Sequence, residues 1–273
     1  MALPPHTTPS RDPAPSTGLR RDLEILDLLA QPEHAARGLG VSRIARLLDR
    51  EKSQVSRALK VMEAEALVDR DPDSLEFRLG WRLYSLAART TEARLTRTAG
   101  PYLRRLVAGL NETTHLCVLR GSAVLTLLSV SPSHAFRGLG WEGVTVPVLM
   151  TSAGRVLVSD WAPDTLRSWA ASWLDEPGHA QARLRIQAAD DLLREVAAIR
   201  RRGYASVDEE FEAGLVGVSA PVRDFRGTIV AAINVSAPKA RLGPHLDEAG
   251  RRTLAVAREL SAELGHEHAP GVV

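Results

Sequence analysis

The stretch SRIARLLDREKSQVSRALKVMEAEALVDRDPDSLEFRL, residues 42–79, contains two helical patterns in close succession. In the first, Ile44, Leu47 and Leu48 recur at i, i+3 and i+4, and Ser42 is suited to cap a helix of about nine residues. A second helix follows at once, with Ser53 as its expected N-cap. Its apolar stripe consists of Val55, Leu59, Met62 and Ala66. The two patterns together predict a helix-turn-helix.

A β-hairpin is predicted directly after the second helix. Short apolar segments at 67–68 and 75–79 flank the turn Asp71-Pro72-Asp73-Ser74, whose residue types are typical of tight turns. Two helices followed by such a hairpin make a winged helix-turn-helix. We assign this domain to residues 18–80, including a further helix over 19–30.

Positive charge is concentrated in this domain, although the whole chain carries a formal charge of only +2. The segment 37–60 has two acids, Asp49 and Glu51, against seven cations: Arg37, Arg43, Arg46, Arg50, Lys52, Arg57 and Lys60. This distribution favours binding to double-stranded DNA over a merely solvated helix face. The candidate DNA contacts are Arg43, Lys52, Ser53, Gln54, Ser56, Arg57 and Lys60 on the helices and Arg70 and Arg78 on the wing.

The composition is that of an ordinary globular protein. A length of 273 residues suggests two domains, and a hydrophobic content of 44% suffices for their cores. The single cysteine, Cys117, excludes an intramolecular disulfide framework and suits a reducing cytoplasm. No apolar run is long enough to cross a membrane, so we expect no membrane partner. Residues 1–17 contain five prolines, and we expect them to form a disordered tail.

Residues 81–100 are predicted to form a linker helix that is interrupted at Gly100-Pro101, after which helix resumes through Leu110. Its apolar face is made of Leu83, Leu86, Ala87 and Leu95. This face can pack against a twin subunit or lie on the protein's own wing. We favour the twin subunit, and therefore a homodimer.

The pattern of residues 101–265 predicts an α+β domain with an antiparallel sheet. Two hairpins are expected, one from segments 115–121 and 123–130, the other from segments 215–222 and 228–236. Helices are expected over 151–161, over 188–203 with Gly203 at the C′ position, and from about 244 to 265. Residues 266–273 are expected to form a tail.

Along nearly its whole length the chain resembles the IclR family of bacterial transcription regulators. The resemblance is carried by SRIARLLDREKSQVSRALKVMEAEALVDRD with FRLG, then by GVTVPVLMTSAGRVL, IRRRGYASVDEEFEAGLVGVSAPV and GTIVAAINVSAPKARL, in this order and spacing. It implies a winged helix-turn-helix followed by a GAF-like sensor domain. It further implies a dimer, often assembled into a tetramer, whose affinity for operator DNA responds to a small-molecule effector.

The resemblance also implies an effector pocket. The family's turn that holds an effector carboxylate corresponds to Ser152, Ala153 and Gly154, where free amides at a helix N-terminus attract anions. Two polar positions on the last strand correspond to Asn234 and Ser236, which share one face of that strand. Trp141, in a preceding Gly-rich loop over 137–143, either lines the pocket or belongs to the core.

Three positions depart from the family's pattern. Val207, with Asp208 next to it, stands where members that bind small keto acids have a carboxylate. Gly217 stands where those members have a cysteine, and Leu149 where a histidine is common. Such a site is less polar and roomier, which argues against a ligand as small as glyoxylate.

An enzyme is the less favoured alternative. Asp208, Glu209 and Glu210 are adjacent in sequence and are not expected to converge as an acid–base pair. Cys117 lies beside His115 in a strand, and because strand neighbours face opposite ways, a Cys–His nucleophile is not predicted. His266-Glu267-His268 lies in the tail and is not predicted to be a metal site. We therefore expect no catalytic residues and no cofactor.

A third class is a DNA-binding protein whose second domain only assembles subunits. A sensor domain binds a small molecule in its folded state and is stabilised by it, whereas an assembly module is not.

Overall fold

The computed structural model describes residues 18–35, 37–132, 141–175 and 184–266. The expected tail over 1–17 and most of the tail over 266–273 lie outside these residues, as does the first part of the Gly-rich loop. The described chain divides into two compact units, with the division between Arg94 and Leu95.

The first unit contains the two helices of the opening stretch and the wing. Its elements are α1 (Gly18–Ala30), α2 (Pro32–Ala35), α3 (Val41–Leu47), α4 (Lys52–Ala64), β1 (Val68–Arg70), β2 (Phe77–Leu79) and α5 (Trp81–Ala87). Their apolar faces form one core around Ile25, Leu29, Ile44, Leu59 and Phe77, which are all buried. The winged helix-turn-helix expected from the sequence is confirmed.

The predicted serine caps of α3 and α4 are wrong. Gly40 is the N-cap of α3 and Glu51 the N-cap of α4, so that Ser42 and Ser53 lie inside the first helical turns. The reason is the path of the preceding chain. Leu39 forms an antiparallel bridge with Phe77 and leaves only Gly40 to turn the chain into α3. The hydroxyls of both serines are consequently exposed on the helix surface.

The turn of the wing is held by Asp71, as its sequence suggests. Its carboxylate oxygen Oδ1 accepts hydrogen bonds from the backbone amides of Asp73 at 3.1 Å and Ser74 at 2.8 Å. These bonds hold the pKa of the Asp71 carboxyl below its usual value, since they favour the charged form. The strands β1 and β2 are antiparallel, with Val68 paired to Leu79.

The linker helix differs from the prediction. The chain leaves helical geometry after α5 and enters α6 (Thr91–Leu110), which continues through Pro101 without a break. A proline inside a helix removes one backbone hydrogen bond and costs about 3 kcal/mol. Here Ala99, Leu103 and Leu106 on both sides of it are buried in the core of the second unit, and this packing offsets the loss.

The second unit is built on a six-stranded antiparallel sheet. Its strands are β3 (Thr113–Arg120), β4 (Ala123–Val130), β5 (Thr145–Pro147), β6 (Ala205–Asp208), β7 (Leu215–Arg223) and β8 (Ile229–Pro238). They lie in the order β5-β4-β3-β8-β7-β6. Both predicted hairpins, β3 with β4 and β7 with β8, are confirmed, and the unit has the predicted α+β fold.

Helices cover the sheet on two faces. The remaining helices are α7 (Ser152–Leu157), α8 (Pro163–Leu174), α9 (Ala189–Arg202), α10 (Lys239–Leu242) and α11 (Leu246–Glu263). One core joins α6 and α11 to the sheet, and a second core joins α7, α8 and α9 to the opposite face. The helix predicted over 151–161 ends at Leu157, while α9 and its left-handed Gly203 are as expected.

A buried ion pair joins α7 to the segment after β6. The guanidinium of Arg155 donates from Nη1 to Glu210 Oε1 at 3.0 Å, from Nη2 to Glu210 Oε2, and from Nε to the carbonyl of Leu149 at 2.9 Å. The same carboxylate accepts the backbone amide of Arg185 at 2.8 Å. Both charged side chains are almost fully buried, so each depends on the other for compensation of its charge.

Removal of one partner of this pair is expected to destabilise the fold strongly. In Glu210→Ala, Arg155 stays buried without a counter-ion, which costs about 3–5 kcal/mol of unfolding free energy. The matched control is Glu259→Ala, since Glu259 pairs with Arg105 on the surface and such pairs contribute at most about 1 kcal/mol. Urea unfolding measures both; equal losses in the two variants would contradict the expectation.

Candidate functional site

A cavity of about 70 Å³ lies between helix α7 and the sheet face on which that helix packs. Its wall combines apolar and neutral polar side chains from all six strands of the sheet, from the start of α7 and from two loops. The lining residues are His115, Cys117, Val124, Thr126, Trp141, Val146, Thr151, Ser152, Ala153, Val207, Phe211, Leu215, Val216, Gly217, Asn234 and Ser236.

Most of the pocket residues named from the sequence come together here. The cavity is lined by Trp141, Ser152, Ala153, Val207, Gly217, Asn234 and Ser236. The pairing of the strands explains this, because Gly217 is opposite both Val207 and Ser236. Their contact with a ligand stays a prediction.

Two of the named residues are not on the cavity wall. Asp208 is exposed, because it follows Val207 in strand β6 and therefore faces the other way; its carboxylate binds Lys239 Nζ at 2.9 Å. Gly154 lies under the cavity, where a Cβ atom would collide with the backbone of Val148. Its amide donates to Thr151 Oγ1 at 3.1 Å and is not free for a ligand.

Asn234 is held by hydrogen bonds from its amide nitrogen. Nδ2 lies 2.9 Å from Ser219 Oγ, 3.1 Å from Ser152 Oγ and 3.2 Å from the carbonyl oxygen of Val218. The two serine hydroxyls are themselves 2.8 Å apart. This network ties β8 to β7 and to the first residue of α7, so that three walls of the cavity have a fixed geometry.

His115 is a cavity residue that the sequence did not reveal. Its ring is buried, with Nδ1 2.8 Å from Ser129 Oγ and Nε2 3.1 Å from Ser236 Oγ. Burial lowers the pKa of His115 to about 4, because the charged imidazolium loses its hydration. The alternation of side chains along β3 could have revealed His115, since it places His115 on the same face of the strand as Cys117, which also lines the cavity.

The predicted placement of Cys117 and His115 on opposite faces of the strand is wrong. The two residues are two positions apart in β3, so they face the same side, and both line the cavity. The two side chains nevertheless do not form a Cys–His nucleophile, because the thiol is not ionised. Burial raises the pKa of the Cys117 thiol to about 12, although its contact with Thr126 Oγ1 opposes this shift. The thiol therefore stays protonated.

Aromatic rings form one side of the cavity. The ring of Trp141 lies 6.3 Å from that of His115 and 6.1 Å from that of Phe211, both in edge-to-face arrangement. Phe211 follows Glu210 directly, so the buried pair with Arg155 also fixes the position of this ring. Among the described residues that line the cavity, none is Asp, Glu, Lys or Arg.

The candidate DNA contacts lie on an exposed surface of the first unit. In α4 the apolar Val55 and Leu59 are buried, whereas Lys52, Ser53, Gln54, Ser56, Arg57 and Lys60 are exposed. Arg43 on α3 and the wing residues Arg70 and Arg78 are exposed as well. Arg70 lies over the ring of Phe77 at 5.5 Å, and Arg78 Nε donates to the carbonyl of Arg37 at 3.2 Å.

Arg50 was counted with the cations of this surface but has a different role. Its guanidinium forms an ion pair with Glu24 and donates to the carbonyl of Arg21 at 2.7 Å, both on α1. It therefore fixes the turn between α3 and α4 against α1.

No group of three or more potential metal-binding side chains occurs among the described residues, and no helix within them could span a membrane.

A winged helix-turn-helix with an exposed cationic α4, on the same chain as a separate α+β unit, defines the class of DNA-binding transcription regulators. Residues 18–72 match the IclR helix-turn-helix domain, and residues 87–262 match the family described as bacterial transcriptional regulator IclR C-terminal. The protein belongs to the IclR family, whose members are regulators and not enzymes.

Curated relatives agree with this assignment. The regulator BhcR of Paracoccus denitrificans is 30% identical over 89% of this chain and 85% of its own. KdgR of Escherichia coli is 27% identical over 86% of this chain and 89% of its own length. An IclR homologue from Microbacterium hydrocarbonoxydans, solved with 4-hydroxybenzoate, has a TM-score of 0.76 at 24% identity and covers 90% of this chain and 98% of that one.

The buried His115 is expected to make stability depend on pH. The unfolded chain takes up a proton near pH 6.5, whereas the folded protein does so only near its lowered pKa of about 4. Stability is therefore fully present above pH 6.5 and falls as the pH is lowered towards 4, by at most about 3 kcal/mol.

The variant His115→Gln keeps a hydrogen-bonding side chain and removes the titration. Urea unfolding at about pH 7 and about pH 4.5 should show a loss that is smaller in the variant than in the parent by about 2 kcal/mol. Parallel losses in both proteins would show that the imidazole is accessible to protons in the folded state.

Proposed function

We propose that the protein controls transcription from operator DNA in response to a small metabolite that binds in the cavity of the second unit. The observation that carries this proposal is the cavity itself, which is lined by neutral polar groups of fixed orientation. A domain that only assembled subunits would have no need for such a lining. Because the target is bacterial DNA, we place the protein in the cytoplasm.

The proposed effector is an organic acid or a carbonyl compound larger than a two-carbon acid. A Cβ atom at Gly217 would lie 3.4–3.5 Å from atoms of Val235, Asn234 and Ser152, so any side chain there would occupy cavity space. Val207 removes a carboxylate that would oppose an anion. The first-turn amides of Ser152 and Ala153, which have no acceptor within their helix, are the proposed partners of the ligand oxygen.

Binding at the cavity should alter affinity for operator. An effector shifts the balance between two arrangements only by its different affinity for them, typically about 1–3 kcal/mol. A thermal-shift screen of metabolites on the full-length protein identifies ligands, since binding to the folded state raises its melting temperature. Hits that also change operator affinity support the proposal. If no metabolite changes either the melting temperature or the operator affinity, the second unit is an assembly module.

Asn234→Leu is expected to abolish the response to such a hit while leaving DNA binding intact. The substitution removes the amide that lines the cavity and holds Ser152 and Ser219, and Asn234 belongs to the second unit. Asp208→Asn is the matched control, because Asp208 lies on the same sheet but faces away from the cavity. A normal response in Asn234→Leu would place the effector site elsewhere.

The DNA contacts are proposed to divide into base-reading and phosphate-binding groups. Gln54, Ser56 and Arg57, near the start of α4, read bases or adjacent phosphates; Lys52, Lys60, Arg43, Arg70 and Arg78 mainly neutralise phosphates. Arg57→Ala should reduce operator discrimination by about 1–3 kcal/mol if Arg57 makes a bidentate base contact.

Lys60→Ala is the companion variant, since it changes a cation of the same exposed helix. It should weaken binding to operator and to random DNA about equally. The slope of log affinity against log salt concentration should become shallower by roughly 0.9. Fluorescence anisotropy at several salt concentrations measures both effects. If both variants bind operator and random DNA with the affinity of the parent, α4 is not part of the DNA interface.

We propose that two subunits pair through the helix after the wing. No residue of α5 is buried, and Trp81, Tyr84 and Leu86 are 66%, 80% and 56% exposed. Large apolar side chains exposed on such a short helix fit an interface with a second copy. Two subunits would place their recognition helices about 34–36 Å apart, or a multiple of that, on a palindromic operator; dimers of such dimers are the proposed tetramer.

Leu86→Glu should weaken this interface, because it introduces a charge into an apolar surface, and should lower operator affinity without unfolding the second unit. Analytical ultracentrifugation of the parent and the variant measures the assembly, and Glu76→Gln on the wing is a surface control. A parent that is monomeric at micromolar concentration would contradict the pairing.

A further inference from the structure

We infer that the cavity recognises an uncharged group that both donates and accepts hydrogen bonds, of which a carboxamide or lactam is the simplest, and that it discriminates against a free carboxylate. This inference rests on the proposed function, namely that the cavity binds the effector. It narrows the class of effector from organic acids and carbonyl compounds in general to neutral amide-like molecules.

The first observation is that the cavity wall offers no positive charge. Its described lining contains no Lys or Arg. The nearby Arg155 is committed to Glu210 and to the carbonyl of Leu149. Lys239, beyond the end of β8, is held by Asp208 and Glu209. Transfer of an ionised carboxylate from water into such surroundings is costly unless a counter-charge or several donors replace its hydration.

His115 does not supply this charge. Burial keeps its pKa at about 4, so the ring is neutral at physiological pH. Both ring nitrogens are already engaged, Nδ1 with Ser129 and Nε2 with Ser236. The titratable thiol of Cys117 lies on the same face and stays neutral. Glu142, next to Trp141, accepts the backbone amide of Ser129 at 2.9 Å and adds no positive charge.

The start of α7 is a weak substitute for a cation. The helix has only six residues, so its dipole is small, and its Gly154 amide already donates to Thr151 Oγ1. Only the amides of Ser152 and Ala153 remain for a ligand at this turn. A carboxylate has about four lone-pair directions to satisfy, whereas the carbonyl oxygen of an amide has two and carries no net charge.

Asn234 supplies the second half of the recognition. Its nitrogen faces the carbonyl oxygen of Val218, which can only accept, so the orientation of the side-chain amide is fixed. The remaining group is the carbonyl oxygen Oδ1, for which the described residues provide no donor. An exposed acceptor in the wall repels a carboxylate and attracts an N–H group. A carboxamide satisfies both this oxygen and the amides of α7.

Matched pairs of acid and amide on the same carbon skeleton test the inference. We would measure binding of benzoate and benzamide, and of isobutyrate and isobutyramide, to the full-length protein at about pH 7.5, where both acids are ionised. Isothermal titration calorimetry gives the affinities. We expect the amide of at least one pair to bind at least about tenfold more tightly than its acid, since only the acid must lose the hydration of a charge.

Two variants assign the signal to the cavity. Binding of the amide should be lost in Asn234→Leu and kept in Asp208→Asn, which changes a charge on the outer face of β6. The inference is overturned if an acid binds as tightly as its amide, if amide binding survives in Asn234→Leu, or if no member of either pair binds.

The proposed function is judged separately by the metabolite screen. A screen hit that is an ionised acid and that changes operator affinity would leave the proposed function standing and overturn only the preference for a neutral group. A screen without any hit would remove both.

Discussion

The cavity depends on one buried electrostatic contact. Arg155 and Glu210 neutralise each other inside the second unit, and the remaining bonds of both side chains go to backbone at Leu149 and Arg185. The pair thereby joins α7, the turn before it, the segment 184–186 and the loop that carries Phe211. A buried pair of this kind contributes little net stability compared with apolar packing, but its two parallel hydrogen bonds fix the orientation of the guanidinium relative to the carboxylate. That geometry holds both Ser152 and Phe211 in the wall of the cavity.

Much of the fold could be predicted from the sequence because it follows local rules. Apolar periodicity gave α3, α4 and α9, the alternation of short apolar segments gave two hairpins, and turn residues gave the wing. The errors occurred where tertiary contacts override local preference. Pro101 remains inside α6 because buried neighbours hold the helix together, and Gly40 replaces a serine cap because Leu39 is bridged to Phe77.

The candidate site was predictable only in part. Val207, Gly217 and Ser236 were named from a family pattern, and the register of β6, β7 and β8 brings them to one place. The pairing of Arg155 with Glu210 was not predicted, because a buried pair 55 positions apart leaves no local signal. His115 was missed for a different reason: its spacing of two from Cys117 was available in the sequence but was treated as a spacing of one.

Strand β8 links the wall of the cavity to the end of α6, the helix that leads to the DNA-binding unit. Asn234 and Ser236 line the cavity, and the chain then enters α10, where Arg241 donates two hydrogen bonds of 2.6 and 2.7 Å to Glu112. Glu112 lies two residues beyond the end of α6, which carries the chain from one unit to the other. The side chain of Glu112 is only 8% exposed, so its pairing is poorly replaced by water. Any displacement of β8 at this point would therefore have to carry the end of α6 with it or break this buried pair.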